Sequence, residues 1–507
     1  MKEFKKLLLF AVLLTTVTAV AQNKFHMDSL VTELENEKID SVRCRMMLEI
    51  AESYKTSDTT ISMEYLGRVK SLGRELEDKS YLGRCFKIEG DIKVHFGLYN
   101  DAIIDFDRAL ALYNEADNDI AYYEVLKDKG NICLFQGNYP QALNYYETAL
   151  DYYNRNNMAL GASRCLNNMG IIFKNQGNYV EALRVYDESI NILDPENDLM
   201  QIAKGYINMG NVFVYLGTYE RALEYFDKAR AIAEKEGSVE DYALCLVNLG
   251  VVQNKCGNFQ KALDYYNNAL DLGKSVKDPI LISNCLINIG TNYASMGNYE
   301  EGLQYVERGR DIKVDLGDRR AISNCLIHLA EIHSLMKEYD RATDLFMEAI
   351  PVKEELGDVE ALARCYLGLA TILYGRGNFS SANQMTDQAL KTASEIESLE
   401  HLTTGYGIKR DIAVASGDYL SAFENEKLRN LYNDSMIDET TSKAAMEMEF
   451  RHRSHALEKE NYNLKIQSEL AGQLMKKKNA LVQSIAGIAI LLAAMVILGG
   501  HFLRRLR

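Results

Sequence analysis

Proline is scarce, with four in 507 residues. A backbone so rarely deprived of its N–H groups, and rich in Ala, Leu, Tyr, Glu and Lys, is predicted to be helical over most of its length. Basic charge is short too. Against 72 Asp and Glu stand 57 Lys and Arg, a net charge of −15, which argues against nucleic acid as a partner because phosphate binding needs a basic face. The patterns of catalysis are also missing. There is no G-x-S-x-G, no Gly-rich loop to cradle phosphate and no nucleophile in register with a base. His328 and His333 lie five apart, not at the i, i+4 spacing of a helical zinc pair, and His452 and His455 stand three apart on a charged stretch. No enzyme, metal or other cofactor is expected.

What the chain has is repetition. "GNYPQALNYYETAL" from Gly137 returns as "GNYVEALRVYDESI" from Gly177, "GTYERALEYFDKAR" from Gly217 and "GNFQKALDYYNNAL" from Gly257. Length alone suggests about three domains, but a fixed period overrides that prior. The marker falls at Gly97, Gly137, Gly177, Gly217, Gly257, Gly297, Lys337, Gly377 and Gly417, forty residues apart each time. Two residues on stands Tyr or Phe, and five on stands Ala or Gly. With a worn first copy around Ser57, Asp58 and Ser62, this makes ten units over residues 43–442. Each unit reads as two helices. The first carries Leu166, Met169, Gly170 and Phe173 and stops at Gly177, which tolerates a left-handed backbone. Asn178 suits the start of the second, which bears Ala182, Leu183 and Tyr186. Small residues at Gly170 and Ala182 let the pair approach closely, and since one pair cannot bury its apolar face alone, the pairs should stack.

The pattern resembles the tetratricopeptide repeat: Met169-Gly170, Met209-Gly210, Leu249-Gly250 and Ile289-Gly290, then G-N-Y, then A-L and an aromatic. The family's usual tryptophan is absent; Leu166, Tyr206, Leu246, Leu286, Leu326 and Tyr366 stand in its place. A period of forty resembles the longer-helix branch of Pins-type polarity adaptors, kinesin light chain and bacterial peptide-sensing regulators. The resemblance implies an all-α tetratricopeptide-repeat solenoid, a right-handed superhelix of helix pairs with a concave inner groove.

Nine cysteines invite a disulfide reading. Cys85, Cys165, Cys245, Cys285, Cys325 and Cys365 share one position of the repeat, however, and equivalent helices stand roughly 8–10 Å apart, too far to bridge. Small buried residues in one recurring slot are expected. A polar column is more suggestive: Asn168, Asn208, Asn248, Asn288 and then His328. Asparagine inside a helix costs roughly 0.6 kcal/mol against alanine, so something should offset four of them. Helical arithmetic sets Arg164, Asn168 and Ile171 on one stripe, and Lys204, Asn208 and Asn211 on another. In the long-repeat relatives the matching asparagines line the groove and bond the backbone of an extended peptide, which an amide can do as donor and acceptor. Arg164, Lys204 and Arg364 would attract a carboxylate. The alternative is that the asparagines bond between neighbouring helices.

The two ends differ. Residues 1–21 join Lys2, Lys5 and Lys6 to an apolar run and Ala19-Val20-Ala21, the pattern of a secretory signal; an uncleaved anchor is the alternative. Residues 22–42 form a lead-in. After the repeats, 443–479 is charged and free of proline and is expected to form a stalk helix, with half a heptad seam (Phe450, Leu457, Leu464 and Ala471) toward a coiled coil. Residues 480–503 carry no formal charge and suffice to cross a bilayer once, leaving 504–507 as a cytoplasmic tail. The layout resembles the extracytoplasmic half of bacterial membrane-bound sensors, without the kinase or helix-turn-helix output that follows in them. The expectation is therefore a module in the periplasm, tethered to the inner membrane, which binds a protein or peptide and serves envelope signalling. A homodimer through the stalk and a separate cytoplasmic output protein would complete it. A static scaffold that only tethers a complex is the alternative.

Overall fold

The computed structural model describes residues 29–56, 58–437, 475, 477 and 478. Helix 29–36 leads into twenty further helices, from Asp40–Tyr54 to Tyr419–Ile437, and no strand occurs among the described residues. They form ten successive pairs, the first opening at Asp40 and not at Arg43. The signal, the transmembrane run 480–503 and the tail lie outside the described residues, as does the stalk apart from Met475, Lys477 and Lys478, which are helical. Among the described residues no helix is long and apolar enough to cross a membrane.

The turn within each pair follows from the marker residue. Gly177 has φ +80°, and Asn178 caps the next helix by accepting from the backbone N–H of Glu181 at 3.3 Å. Lys337 keeps the same turn at φ +64° despite its side chain. The turns between pairs use the left-handed region too, at Glu77, Asp117, Asn157, Gly237, Lys277, Gly317, Gly357 and Glu397. Nothing in the sequence reading marked these, because no one residue type recurs there.

Within five of the pairs, the small residue of the first helix stands against an aromatic of the second, while Gly290 lies against the backbone of Gly302. A Cβ on Gly170 would lie 2.4 Å from the ring of Tyr186, and Gly90, Gly130, Gly210 and Gly250 stand likewise against Phe106, Tyr146, Phe226 and Tyr266. These rings are buried, each worth roughly 1.5–3 kcal/mol of burial. Between pairs, the marker aromatic is covered by the end of the following first helix, as Tyr179 is by Tyr215 (ring centroids 6.0 Å apart). Tyr179 is 3% exposed, whereas Tyr419, with no described pair beyond it, is 73% exposed. The six cysteines of the shared slot are buried free thiols; of the nine only Cys256 is exposed.

Successive first helices touch one another, while no two successive second helices do so comparably. First helices therefore line the inside of the curve. The curve is tight enough to meet itself. Asn175 faces Glu360 and Gln176 faces Glu397, 185 and 221 residues away, and Gly97 meets Leu356 still further along, so contacts between turns bracket a repeat of about five and a half of the forty-residue units. Turns within pairs on one edge of the ribbon sit between turns joining pairs on the other. Leu356 packs on Gly97, Ile396 and Val359 on Gly137, and Leu399 on Gly177. Arg320 stacks over Phe135, 4.7 Å from its ring centre. Leu356 and Ile396 are 0% and 2% exposed and belong to the apolar cores of the early units. At the same point Gly217, Gly257, Gly297, Gly377 and Gly417 have open space.

Candidate functional site: the inner face of the coil

The polar column rides on the first helices, at a register that leaves Asn168, Asn208, Asn248, Asn288 and His328 half-buried. Four of the predicted residues come together. Arg164, Asn168, Lys204 and Asn208 line one cleft of about 490 Å³, with Lys127 and Asn131 among its other walls. Arg164 and Lys204 are exposed, and neither makes an ion pair among the described residues. Asn211 and Asn248 line a second cleft of about 420 Å³ beside Tyr215 and Lys255, and Glu400 closes it from the next turn of the coil. Burial, and after it Glu400, pushes the Tyr215 phenol up to about 12, although the ring is 45% exposed.

The asparagines do not share one role. Asn168 donates from Nδ2 to Asn131 Oδ1 at 2.8 Å, and Asn208 donates to Asn167 Oδ1 at 3.0 Å. Both bonds join neighbouring units, so the architectural alternative holds for one hydrogen of each amide. Asn288 donates to the carbonyl of Asn284 on its own helix at 2.9 Å. The amide of Asn248 makes no side-chain hydrogen bond among the described residues. His328 and Arg364 are not open ligands for an incoming carboxylate. Arg364 grips Glu331 with two bonds, 2.7 Å from Nε and 2.6 Å from Nη2, and His328 Nδ1 lies 3.5 Å from the same carboxylate. Burial opposes ionisation there, yet His328 and Arg364 outweigh it and hold Glu331 down at about 2.

Sequence reasoning missed a ladder that continues this face toward the N-terminus. Lys55 bonds Asp91 at 2.8 Å, Lys87 bonds Asp91 at 2.8 Å and stands 3.6 Å from Asp128, and Asn131 donates to Asp128 at 3.2 Å before accepting from Asn168. Burial pushes the Asp128 carboxyl up, with Lys127 and Lys87 pulling the other way. The signal was available: Asp128 occupies the asparagine column forty residues before Asn168. Among the described residues no group of His, Cys, Asp and Glu is arranged to hold a metal ion.

Among solved structures the chain is similar to aspartyl phosphate phosphatase F from Bacillus subtilis, with 15% identity, a TM-score of 0.47, and 68% of this chain against 92% of that one. It is also similar to the Rap conjugation gene regulator of plasmid pLS20 in complex with the Phr* peptide (16%, TM-score 0.45, 69% and 95%). A third is a signal transduction ATPase with a tetratricopeptide repeat sensor from Pyrococcus horikoshii (14%, TM-score 0.40, 82% and 66%). At these identities and scores nothing follows from them about what this chain binds. No curated protein matches at a significant level. The tetratricopeptide repeat model matches residues 89–155, 130–194, 201–275, 281–355 and 326–395, more than half of the chain. With ten stacked helix pairs behind that match, the chain belongs to the tetratricopeptide repeat family.

Proposed function

We propose that the inner face of the coil binds an extended peptide or protein segment. The observation that carries this reading is the pair of exposed, unpaired cations, Arg164 and Lys204, in one cleft with the amides of Asn168 and Asn208. The cations suit a carboxylate, and the amide hydrogens and oxygens suit a peptide backbone without reading its side chains. The test is a peptide library probed with the full chain, followed by affinity measurement on its best member. Changing Arg164 and Lys204 together to alanine should weaken binding at least about tenfold, the scale of charge-assisted hydrogen bonds. Changing Asn208, Asn248 and Asn288 to alanine should weaken it whatever the peptide sequence. Unchanged affinity in both sets would sink the reading.

The array acts, on this proposal, as a membrane-tethered sensing module outside the cytoplasm. The support is in the sequence: the basic-then-apolar leader 1–21 and the charge-free run 480–503. Recovery of the chain in the soluble fraction of its native cell, or protection of the repeats from protease added to spheroplasts, would overturn that part.

A further inference from the structure

The coil is sealed along the seam between its turns, where Gly97, Gly137 and Gly177 meet Leu356, Ile396 and Leu399. Its two ends are finished differently. Helix 29–36 packs against the first pair, with Leu30 and Leu34 buried in the same apolar core as Met47 and Leu48. The last helix, Tyr419–Ile437, instead leaves Tyr419, Leu420, Phe423 and Leu431 between 57% and 73% exposed. Terminal repeats ordinarily keep a polar outer face. Leu420 and Leu431 are not the bared stump of a stacking surface. With the exposed Glu424 and Lys427 between them, they recur at spacings of four, three and four, which gathers all four side chains within about 60° of arc. That stripe stays in solvent even where another pair follows: its counterparts Glu300, Gln304, Glu307 and Asp311 are all exposed. None of the eight second helices from Tyr99–Glu115 to Phe379–Glu395 carries leucine at either outer position, and six of them carry Asp or Glu where Lys427 stands. The last helix has exchanged an acidic, wettable stripe for leucines around a charge pair.

We infer that this stripe is a docking surface for a second copy of the chain, the two last helices lying antiparallel about a two-fold axis. The order of the stripe suits such an axis. When the axis passes between Asn425 and Glu426, Leu420 meets Leu431 of the second copy and Glu424 meets its Lys427, each contact occurring twice. The Phe423 rings of both copies then lie on the same side of the pair, about 7.5 Å apart along its length. Glu424 and Lys427 have no ion-pair partner among the described residues, whereas Glu426 beside them is engaged within the last pair, with Arg410 at 3.0 Å and Arg429 at 2.7 Å. Parallel pairing would set Glu424 on Glu424 and Lys427 on Lys427, so charge selects the antiparallel arrangement. Head-to-tail association is closed off as well, because helix 29–36 already occupies the other end. Four apolar side chains and one charge pair from each copy make an interface smaller than the standard ~1,600 Å², so the dimer is expected to be weak, in the micromolar range.

The register can be tested by crosslinking. The full chain carrying Cys256→Ser, which removes the exposed thiol, is made with Leu420→Cys or with Leu431→Cys, purified in mild detergent and gently oxidised. Antiparallel docking brings position 420 of one copy against 431 of the other, within the ~7 Å between Cα atoms that a disulfide needs, and leaves each position about 16 Å from its own twin. An equimolar mixture of the two variants should therefore give at least about tenfold more crosslinked dimer on a non-reducing gel than either variant alone. Either variant crosslinking with itself as readily as in the mixture would mean parallel pairing and would overturn the proposal. No crosslink in any combination, with the helical circular dichroism signal intact, would mean that another part of the chain or a different partner covers the face, and would overturn it too. Without added cysteines, Glu424→Lys and Lys427→Glu should each weaken the dimer about three- to tenfold in sedimentation, and the chain carrying both should recover it. Association indifferent to these charges would also overturn the proposal. All four positions are exposed, so the variants are expected to fold.

Discussion

Gln176 donates from Nε2 to the carboxylate of Glu397 at 3.1 Å, 221 residues further along the chain. Repeat arrays are held by contacts between neighbouring units, each touching only the next. Here a second kind of contact ties the fourth pair to the start of the tenth, so the array has a closure energy besides its stacking energy.

Leu356→Ala should loosen the seam without unfolding the repeats. Leu356 is fully buried between distant turns, and the lost burial plus cavity is worth about 2–5 kcal/mol. Small-angle scattering should give a larger radius of gyration with an unchanged helical circular dichroism signal. A simple fall in melting temperature at constant size would mean that the seam and the stacking are one cooperative unit.

Gly170→Ala should destabilise the fourth pair. The new Cβ would stand 2.4 Å from the Tyr186 ring, and overpacking of this kind costs about 1–3 kcal/mol. Adding Tyr186→Leu should restore part of the loss. Hydrogen exchange resolved to the helices 159–175 and 179–191 is the measurement, because an array of repeats need not melt in one step.

Lys337→Gly should stabilise. The lysine holds φ +64° where eight other units place glycine, a conformation costing roughly 1–2 kcal/mol for a residue with a side chain. Some of that gain is offset by the greater freedom of glycine in the unfolded chain, leaving an expected gain of about 0.5–1 kcal/mol. Gly297→Ala, at φ +85°, should move the denaturant midpoint the other way.

Acid should remove the contribution of Glu331. Its pKa is lowered from 4.5 to about 2 in the folded chain, where burial is outweighed by His328 and Arg364. The group therefore adds stability that is complete above about pH 4.5 and is lost as pH falls toward 2. Its side chain is 39% exposed, so solvent screening holds the effect to about 1 kcal/mol or less. Denaturation midpoints of the natural chain and Glu331→Gln should differ at pH 7 and converge near pH 2.

Of the nine thiols, Cys256 alone should react quickly with a maleimide in the folded chain. The other eight are buried, and burial pushes Cys85, Cys165, Cys245, Cys285 and Cys365 up to about 12, well away from the reactive thiolate. Mass spectrometry of briefly labelled protein, compared with protein labelled in denaturant, counts them.

The family and the helix pairs were legible because their causes are local and are written at every repeat. A glycine or its substitute stops one helix, asparagine starts the next, and an apolar stripe at helical spacing marks the face to be buried. That Asn168 and Asn208 would share one face was legible for the same reason, since a fixed period places every copy on one side. Their hydrogen bonds to Asn131 and Asn167 were not, because a partner across two units depends on how far each pair rotates against the last. That rotation is a small angle, set by side-chain packing and summed over the array. A slight change per unit would have left an open spring. The sequence by itself therefore determined the repeating pair, its stacking and the polar column on its first helices. Only the tertiary structure decided that the turns meet, that Leu356 and Ile396 seal them, and that Arg364 belongs to Glu331 and not to an incoming ligand, because those contacts arise from angles accumulated over hundreds of residues.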